Sequence, residues 1–291
     1  MKTIKAKKLI ATSKSTNWFG AKYGVNIYRG CNFGCIYCDS RSSVYHVDNF
    51  DEVKIKENYL ELFENELKSK RISGIISLGA MSDHYNSFEK ELEATRNILK
   101  LINKYKFGVN ITTKSDLVVR DIDILKEISK HSEVIVSLTI TTNDEPLRKI
   151  LEPRSSSTED RFEALRVLGE NGIYAGITLM PLIPFLNDNK ENVFGLLEKA
   201  VDAKVKFIFP AFGVTQREGQ MEYMYEKFDK HFPGVKEKFI REFNYEYSCG
   251  RKHNFYDEFK KRCSNYNIIT GMKELINEAS NYVIEKQESL F

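Results

Sequence analysis

The chain has one tryptophan, six prolines and five cysteines in 291 residues. Five cysteines are too few and too unevenly spread for a disulfide framework, because three of them fall between positions 31 and 38. Clustered free thiols suit a reducing compartment, and the cytoplasm is the expected location. No stretch reaches the roughly 20 apolar residues that a membrane-spanning helix needs, so no membrane association is expected. Basic and acidic side chains nearly cancel, 44 against 41 for a net charge of +3, which by itself gives no argument for nucleic acid. The N-terminal MKTIKAKKLIATSKS is basic but lacks an apolar centre, so it reads as an extension over residues 1–22 and not as a secretory signal. No internal repeat or low-complexity stretch interrupts the rest. A hydrophobic fraction of 42% and a charged fraction of 29% belong to an ordinary globular protein. The 19 phenylalanines and 15 tyrosines are expected in the core and along grooves.

Apolar runs rich in β-branched residues alternate with amphipathic stretches at helical spacing. Strands are predicted at Tyr23–Tyr28, Gly74–Leu78, Phe107–Thr112, Val134–Thr139, Ile173–Leu179 and Val205–Phe209. Helices are predicted between them, at Glu57–Lys70, Phe88–Tyr105, Ile122–Lys130, Thr158–Leu168 and Asn192–Val201. Ser157 followed by Asp160 has the form of a helix-starting box. This rhythm calls for an α/β fold with parallel strands and right-handed crossovers. Periodicity leaves open whether the six units form a partial barrel or a doubly wound sheet. In either case the functional site lies at the C-terminal ends of the strands. The rhythm stops near Gln216, and residues 216–291 read as a C-terminal helical cap over the open side of a core spanning 23–215.

Cys31, Cys35 and Cys38 stand in the segment Gly30-Cys31-Asn32-Phe33-Gly34-Cys35-Ile36-Tyr37-Cys38, with the spacing C-x3-C-x2-C. Thiolates this close converge on one metal centre. An iron–sulfur cube devoted to electron transfer takes four protein ligands. A cube with three leaves one iron open to a small molecule, as a catalytic zinc keeps an open position. A structural zinc site would need a fourth ligand, and His46 is the one local candidate. The motif and its aromatic residue resemble the radical S-adenosylmethionine (radical SAM) enzymes. The resemblance implies a [4Fe-4S] cluster on the three cysteines and SAM chelated on the open iron. It further implies reductive cleavage of SAM to a 5′-deoxyadenosyl radical, which abstracts hydrogen from a substrate. It favours a partial (β/α)6 TIM-type barrel, places Tyr37 beside the adenine, and calls for an electron donor such as a flavodoxin or a ferredoxin.

Under that resemblance the polar residues at the strand ends become candidates for the SAM cradle. Gly79 and Ala80, followed by Ser82, occupy the place where small residues let backbone approach the SAM amino group. Lys114 offers a point charge for the SAM carboxylate. Ser137 is placed to reach the ribose. Glu152 and Arg154, held on a loop by Pro153, are expected to bind a ligand or to pair with each other.

Ser82-Asp83, Thr113-Lys114-Ser115, Leu151-Glu152-Pro153 with Arg161, and Pro181-Leu182-Ile183-Pro184 together resemble the spore photoproduct lyase branch of these enzymes. That branch carries a hydrogen-donor cysteine just before the Ser-Asp pair, and this chain has Met81 there. A thioether has no S–H hydrogen to give. The substrate therefore stays unassigned, with nucleic acid one option. Cys249 and Cys263 are the candidate replacement donors. Repair of a pyrimidine photoproduct in DNA is one alternative function, and a non-enzymatic iron–sulfur or zinc module is another.

Overall fold

The computed structural model describes residues 1–288. Six parallel strands form its centre: β1 Ala21–Val25, β2 Ile75–Leu78, β3 Gly108–Thr113, β4 Val134–Thr139, β5 Tyr174–Leu182 and β6 Phe207–Phe212. They are hydrogen-bonded side by side in chain order, all in parallel register. Parallel neighbours require a crossover at each step. The crossovers run through α1 Tyr59–Lys68, α2 Ala94–Lys104, α3 Ile122–Ser129, α4 Thr158–Glu170 and α5 Lys190–Asp202. β2 and β4 are buried along their whole length, as strands covered on both faces must be. This is the α/β architecture of six successive units that the sequence rhythm called for. The first strand is shorter than expected. It ends at Val25, and Tyr28–Arg29 pairs instead with Lys54–Lys56 in a small separate sheet.

Ile10–Thr12 adds an antiparallel strand beyond β1. The chain then returns through Trp18 and Phe19, which reach across to the far edge of the sheet. Trp18 packs edge-on against Phe209 at 5.6 Å, and Phe19 meets Phe207 at 5.8 Å. The gap between β1 and β6 is thus bridged by the N-terminal extension.

The residues after 216 do not gather into one cap over that gap. They dock at three places. Helices α6 Gln220–His231 and α7 Val235–Phe243 pack with the cysteine segment, through Met224, Phe228 and Phe239. Helix α8 Tyr256–Asn265 lies against α5, where Phe259 meets Phe194 at 6.3 Å. Helix α9 Met272–Glu288 closes the N-terminal end of the sheet, with Leu275 and Ala279 against Phe19, Ile75, Ile135, Tyr174 and Phe207. Among the described residues no helix is long and apolar enough to cross a membrane.

Candidate active site

The cysteine segment follows the small sheet and is pinned at several points by backbone hydrogen bonds. Cys31 N donates to the Phe50 carbonyl at 2.8 Å and Ile36 N to the Leu151 carbonyl at 3.0 Å. Arg154 N donates to the Phe33 carbonyl at 3.1 Å. Gly34, between the first two cysteines, turns the loop at a φ of +75°, and a side chain there would press on Arg154 at 2.9 Å. Cys35 is buried, while Cys31 and Cys38 are half-buried. Burial pushes the Cys31 thiol up to about 12, with Asp83 and Cys38 adding to the effect. Burial also raises Cys35 and Cys38, and the nearby Lys114 partly opposes it.

A closed structural zinc site takes four ligands, and this loop offers three thiols, a donor set that suits a cube with one open iron. His46 is exposed, on a left-handed residue whose carbonyl accepts from Arg29.

Beside this loop, the C-terminal ends of the strands enclose a cleft of about 380 Å³. Tyr37 and Cys38 enter it from the cysteine loop, Gly79 and Ala80 from the end of β2, and Lys114 from the end of β3. Gly79 has a φ of +96°, and a Cβ there would lie 2.0 Å from the Thr112 carbonyl oxygen. The chain leaving β2 therefore passes β3 so closely that only glycine fits. The Lys114 ammonium lies 5.7 Å from the Tyr37 ring centre. Burial would lower its pKa, but Cys35, Glu152, Cys38 and Asp83 outweigh burial and hold it above the ordinary lysine value.

The two serines proposed for the cradle do not face this cleft. Ser82 donates to the Tyr28 carbonyl at 3.4 Å and lines a separate small cavity with Met81. Ser137 is fully buried and exchanges a hydrogen bond with Thr112 at 3.0 Å, so it stands behind a residue that does face the cleft. Cys263 lies at the α5–α8 contact in the outer core, and burial raises its thiol to about 12. Cys249 packs in the same core as Cys35 and Tyr37, where the Gln216 amide donates to its sulfur. Neither thiol lines the cleft.

Several residues shape the site in roles that the sequence did not specify. Asp83 locks the end of β3, accepting from Thr113 Oγ1 at 2.7 Å and Lys114 N at 2.9 Å. Glu152 is completely buried and takes the Tyr37 hydroxyl and, at 2.8 Å, Arg161 Nη1. Burial alone would raise its carboxyl, but Arg161, Lys114 and Tyr37 bring it below the usual range. Arg154, expected near Glu152, turns outward to Asp51 at 3.2 Å. Asp39 accepts from Thr215 Oγ1 at 2.6 Å, tying the cysteine loop to the chain beyond β6. Trp18 forms part of the cleft wall. Asp83 and Arg161 both lay within the quoted motifs, so a signal was present for them. Nothing local marked Trp18.

The sequence profile of the radical SAM superfamily matches residues 25–197. An uncharacterized protein of Methanocaldococcus jannaschii is 43% identical over 188 residues, which cover 64% of this chain and 68% of that protein. An uncharacterized protein of Mycobacterium tuberculosis is 25% identical over 183 residues, 60% of this chain and 54% of the relative, so that match spans about half of the relative's length. Among solved structures, a spore photoproduct lyase complexed with dinucleoside spore photoproduct aligns with a TM-score of 0.67 over 92% of this chain and 81% of that one. The identity there is 14%, so this likeness is one of fold. The profile spans more than half of the chain, from the end of β1 into α5, and takes in the three cysteines and most of the residues that line the cleft. This chain is a member of the radical SAM superfamily and an enzyme of that class.

Proposed function

We propose that Cys31, Cys35 and Cys38 hold a [4Fe-4S] cluster with one iron free for S-adenosylmethionine, and that Tyr37, Gly79, Ala80 and Lys114 form the SAM cradle. The observation that carries this reading is the opening of Cys38, Tyr37, Gly79 and Lys114 onto one cleft. When bound, cluster and SAM together supply one-electron reductive cleavage of SAM and a 5′-deoxyadenosyl radical for hydrogen abstraction. The chain's own residues position and shield. Lys114 offers its charge to the SAM carboxylate, fixed in place by the Asp83 bonds to its backbone and to Thr113. Tyr37 is held at its hydroxyl by Glu152, which sets the ring as a wall of the cleft. Ser137 acts from behind, through Thr112. Ser82 fixes the chain after β2 against Tyr28. The electron comes from a separate donor of the flavodoxin or ferredoxin kind. All five cysteines are free, which suits work in the cytoplasm.

Repair of a DNA photoproduct is supported by the likeness of fold and by the motif resemblance, and opposed by the chemistry of the site. Met81 stands where a donor thiol is needed. Three arginines around the cysteine loop are also already paired, Arg41 and Arg154 with Asp51 and Arg217 with Asp39, which reduces the charge available for phosphates. If a protein thiol returns hydrogen to the product, Cys249 is placed better than Cys263, since it shares a core with Cys35.

The test is anaerobic reconstitution with iron and sulfide, followed by reduction with SAM present. 5′-Deoxyadenosine is expected from the parent chain and not from Cys35→Ala. A fully loaded parent that makes none, or a Cys35→Ala chain that makes as much, overturns the reading.

A further inference from the structure

Arg29 and Lys56 both line a second cavity, of about 160 Å³, beside the cysteine loop. The small sheet brings them together. Arg29 pairs with Lys54 in its antiparallel ladder, and Lys56 N donates to the Ile27 carbonyl at 3.0 Å. Side chains alternate along a strand, so Arg29, Lys54 and Lys56 fall on one face. Lys54 is answered by Glu52 at 3.8 Å. Among the described residues neither Arg29 nor Lys56 pairs with a carboxylate, and no carboxylate lines the cavity.

The carboxylate that acts on Lys56 is Glu66, and Leu9 N and Ile10 N already donate to it at 2.7 and 2.8 Å. Lys56 is half-buried, and burial together with the Arg29 charge keeps its ammonium below the ordinary lysine value. Both cations have donors to spare. Lys56 Nζ gives one N–H to the Asn26 carbonyl at 2.7 Å, out of three. Arg29 gives one of its five to the His46 carbonyl. Two unanswered like charges with free N–H groups at one recess point to an anion that both of them hold.

We propose that this recess is an oxyanion site that seats the phosphate of a small phosphomonoester between Arg29 and Lys56. Two cations match its double charge, whereas a carboxylate or a phosphodiester carries a single one. A volume of about 160 Å³ is below the range of whole-ligand sites, so the recess holds the charged group. The apolar parts of Tyr45, Val47 and Met81, which also line it, meet the organic portion. The recess shares no lining residue with the SAM cleft, so the proposal does not depend on where SAM binds. It adjoins the cleft along the chain, because its lining residues Gly30 and Met81 are next in sequence to Cys31 and to the cleft-lining Ala80.

The full chain is titrated by calorimetry with phenyl phosphate, inorganic phosphate, benzoate and a short oligothymidylate that lacks terminal phosphates, at about pH 8, where the phosphomonoester is doubly charged. Phenyl phosphate is expected to bind saturably, inorganic phosphate to compete with it more weakly, and benzoate to bind at least about tenfold more weakly. The oligonucleotide is expected not to displace it. Lys56→Gln and Arg29→Gln are each expected to weaken phenyl phosphate about tenfold or more. Lys54→Gln, on the same sheet face but outside the cavity, is expected to leave the affinity unchanged. Arg29 is exposed, so its variant does not threaten folding. Bound phosphate is also expected to raise the Lys56 titration followed by lysine side-chain NMR, a change that a merely structural lysine would not show. The proposal is overturned if phenyl phosphate does not bind, or if benzoate, free phosphate or the oligonucleotide binds as well as it does. It is equally overturned if Arg29→Gln binds as tightly as the parent, or if Lys54→Gln loses as much as Lys56→Gln.

Discussion

Replacing Glu152 by alanine probes the support under the cysteine loop. The carboxylate is completely buried and accepts from the Tyr37 hydroxyl, from Arg161 Nη1 at 2.8 Å and from Thr141 Oγ1 at 3.2 Å. Arg161 is itself only 1% exposed at its side chain. Removing Glu152 leaves that cation buried without its partner, which costs about 3–5 kcal/mol. Arg161→Leu strands the carboxylate instead and costs a similar amount. The two losses share one cause, so the double variant is expected to be little less stable than either single one. That corresponds to a coupling of at least about 2 kcal/mol in a double-mutant cycle. The assay is urea denaturation of metal-free chain, so that cluster binding adds nothing to the measured stability. Single losses below about 1 kcal/mol, or additive losses in the double variant, would refute the claim that this pair anchors Tyr37.

Gly79→Ala forces a Cβ to within 2.0 Å of the Thr112 carbonyl at a φ of +96°. A loss of at least about 2 kcal/mol is expected, together with weaker SAM binding, read by denaturation and by dialysis. Lys114→Met removes a charge-assisted contact, and SAM affinity measured by calorimetry is expected to fall about tenfold or more while iron content holds. Burial brings the His84 imidazole down to about 4, with Nε2 directed at the Val25 carbonyl at 3.1 Å. Its folded pKa lies below the unfolded value near 6.5, so the unfolded chain binds the proton first as pH falls. This contribution to stability is complete above pH ~6.5 and is lost as pH drops towards ~4, by at most about 3 kcal/mol. Urea midpoints across that window should fall less steeply in His84→Gln, and an unchanged slope would count against the assignment.

The strands and crossover helices were legible because their signals are local. Val134–Thr139 was read with its observed bounds, since a run rich in β-branched residues after the polar Ser132-Glu133 marks a strand. The cysteine trio was legible by spacing. Direction was not. Ser82 was read in the loop after the second strand and Ser137 within the fourth, but whether a side chain faces the cleft depends on register and on the backbone path beyond the strand. Glu152 met Arg161 and not its sequence neighbour Arg154, because α4 turns Arg161 inward while the loop turns Arg154 towards Asp51. The helices after 216 announced their apolar stripes but not their partners, so their three separate docking sites came from the structure alone. Trp18 sits in a polar extension with no periodicity. Its place in the cleft follows from the return of the chain between β1 and β6.

The central claim is that three thiolates leave one iron open. Electron paramagnetic resonance of the reduced, reconstituted chain, with and without SAM labelled with nitrogen-15 at its amino group, tests it most directly. The account predicts a spectrum that changes on adding SAM and a hyperfine coupling to the labelled nitrogen. An unchanged spectrum with no coupling, from a cluster confirmed as a four-iron cube, would contradict it.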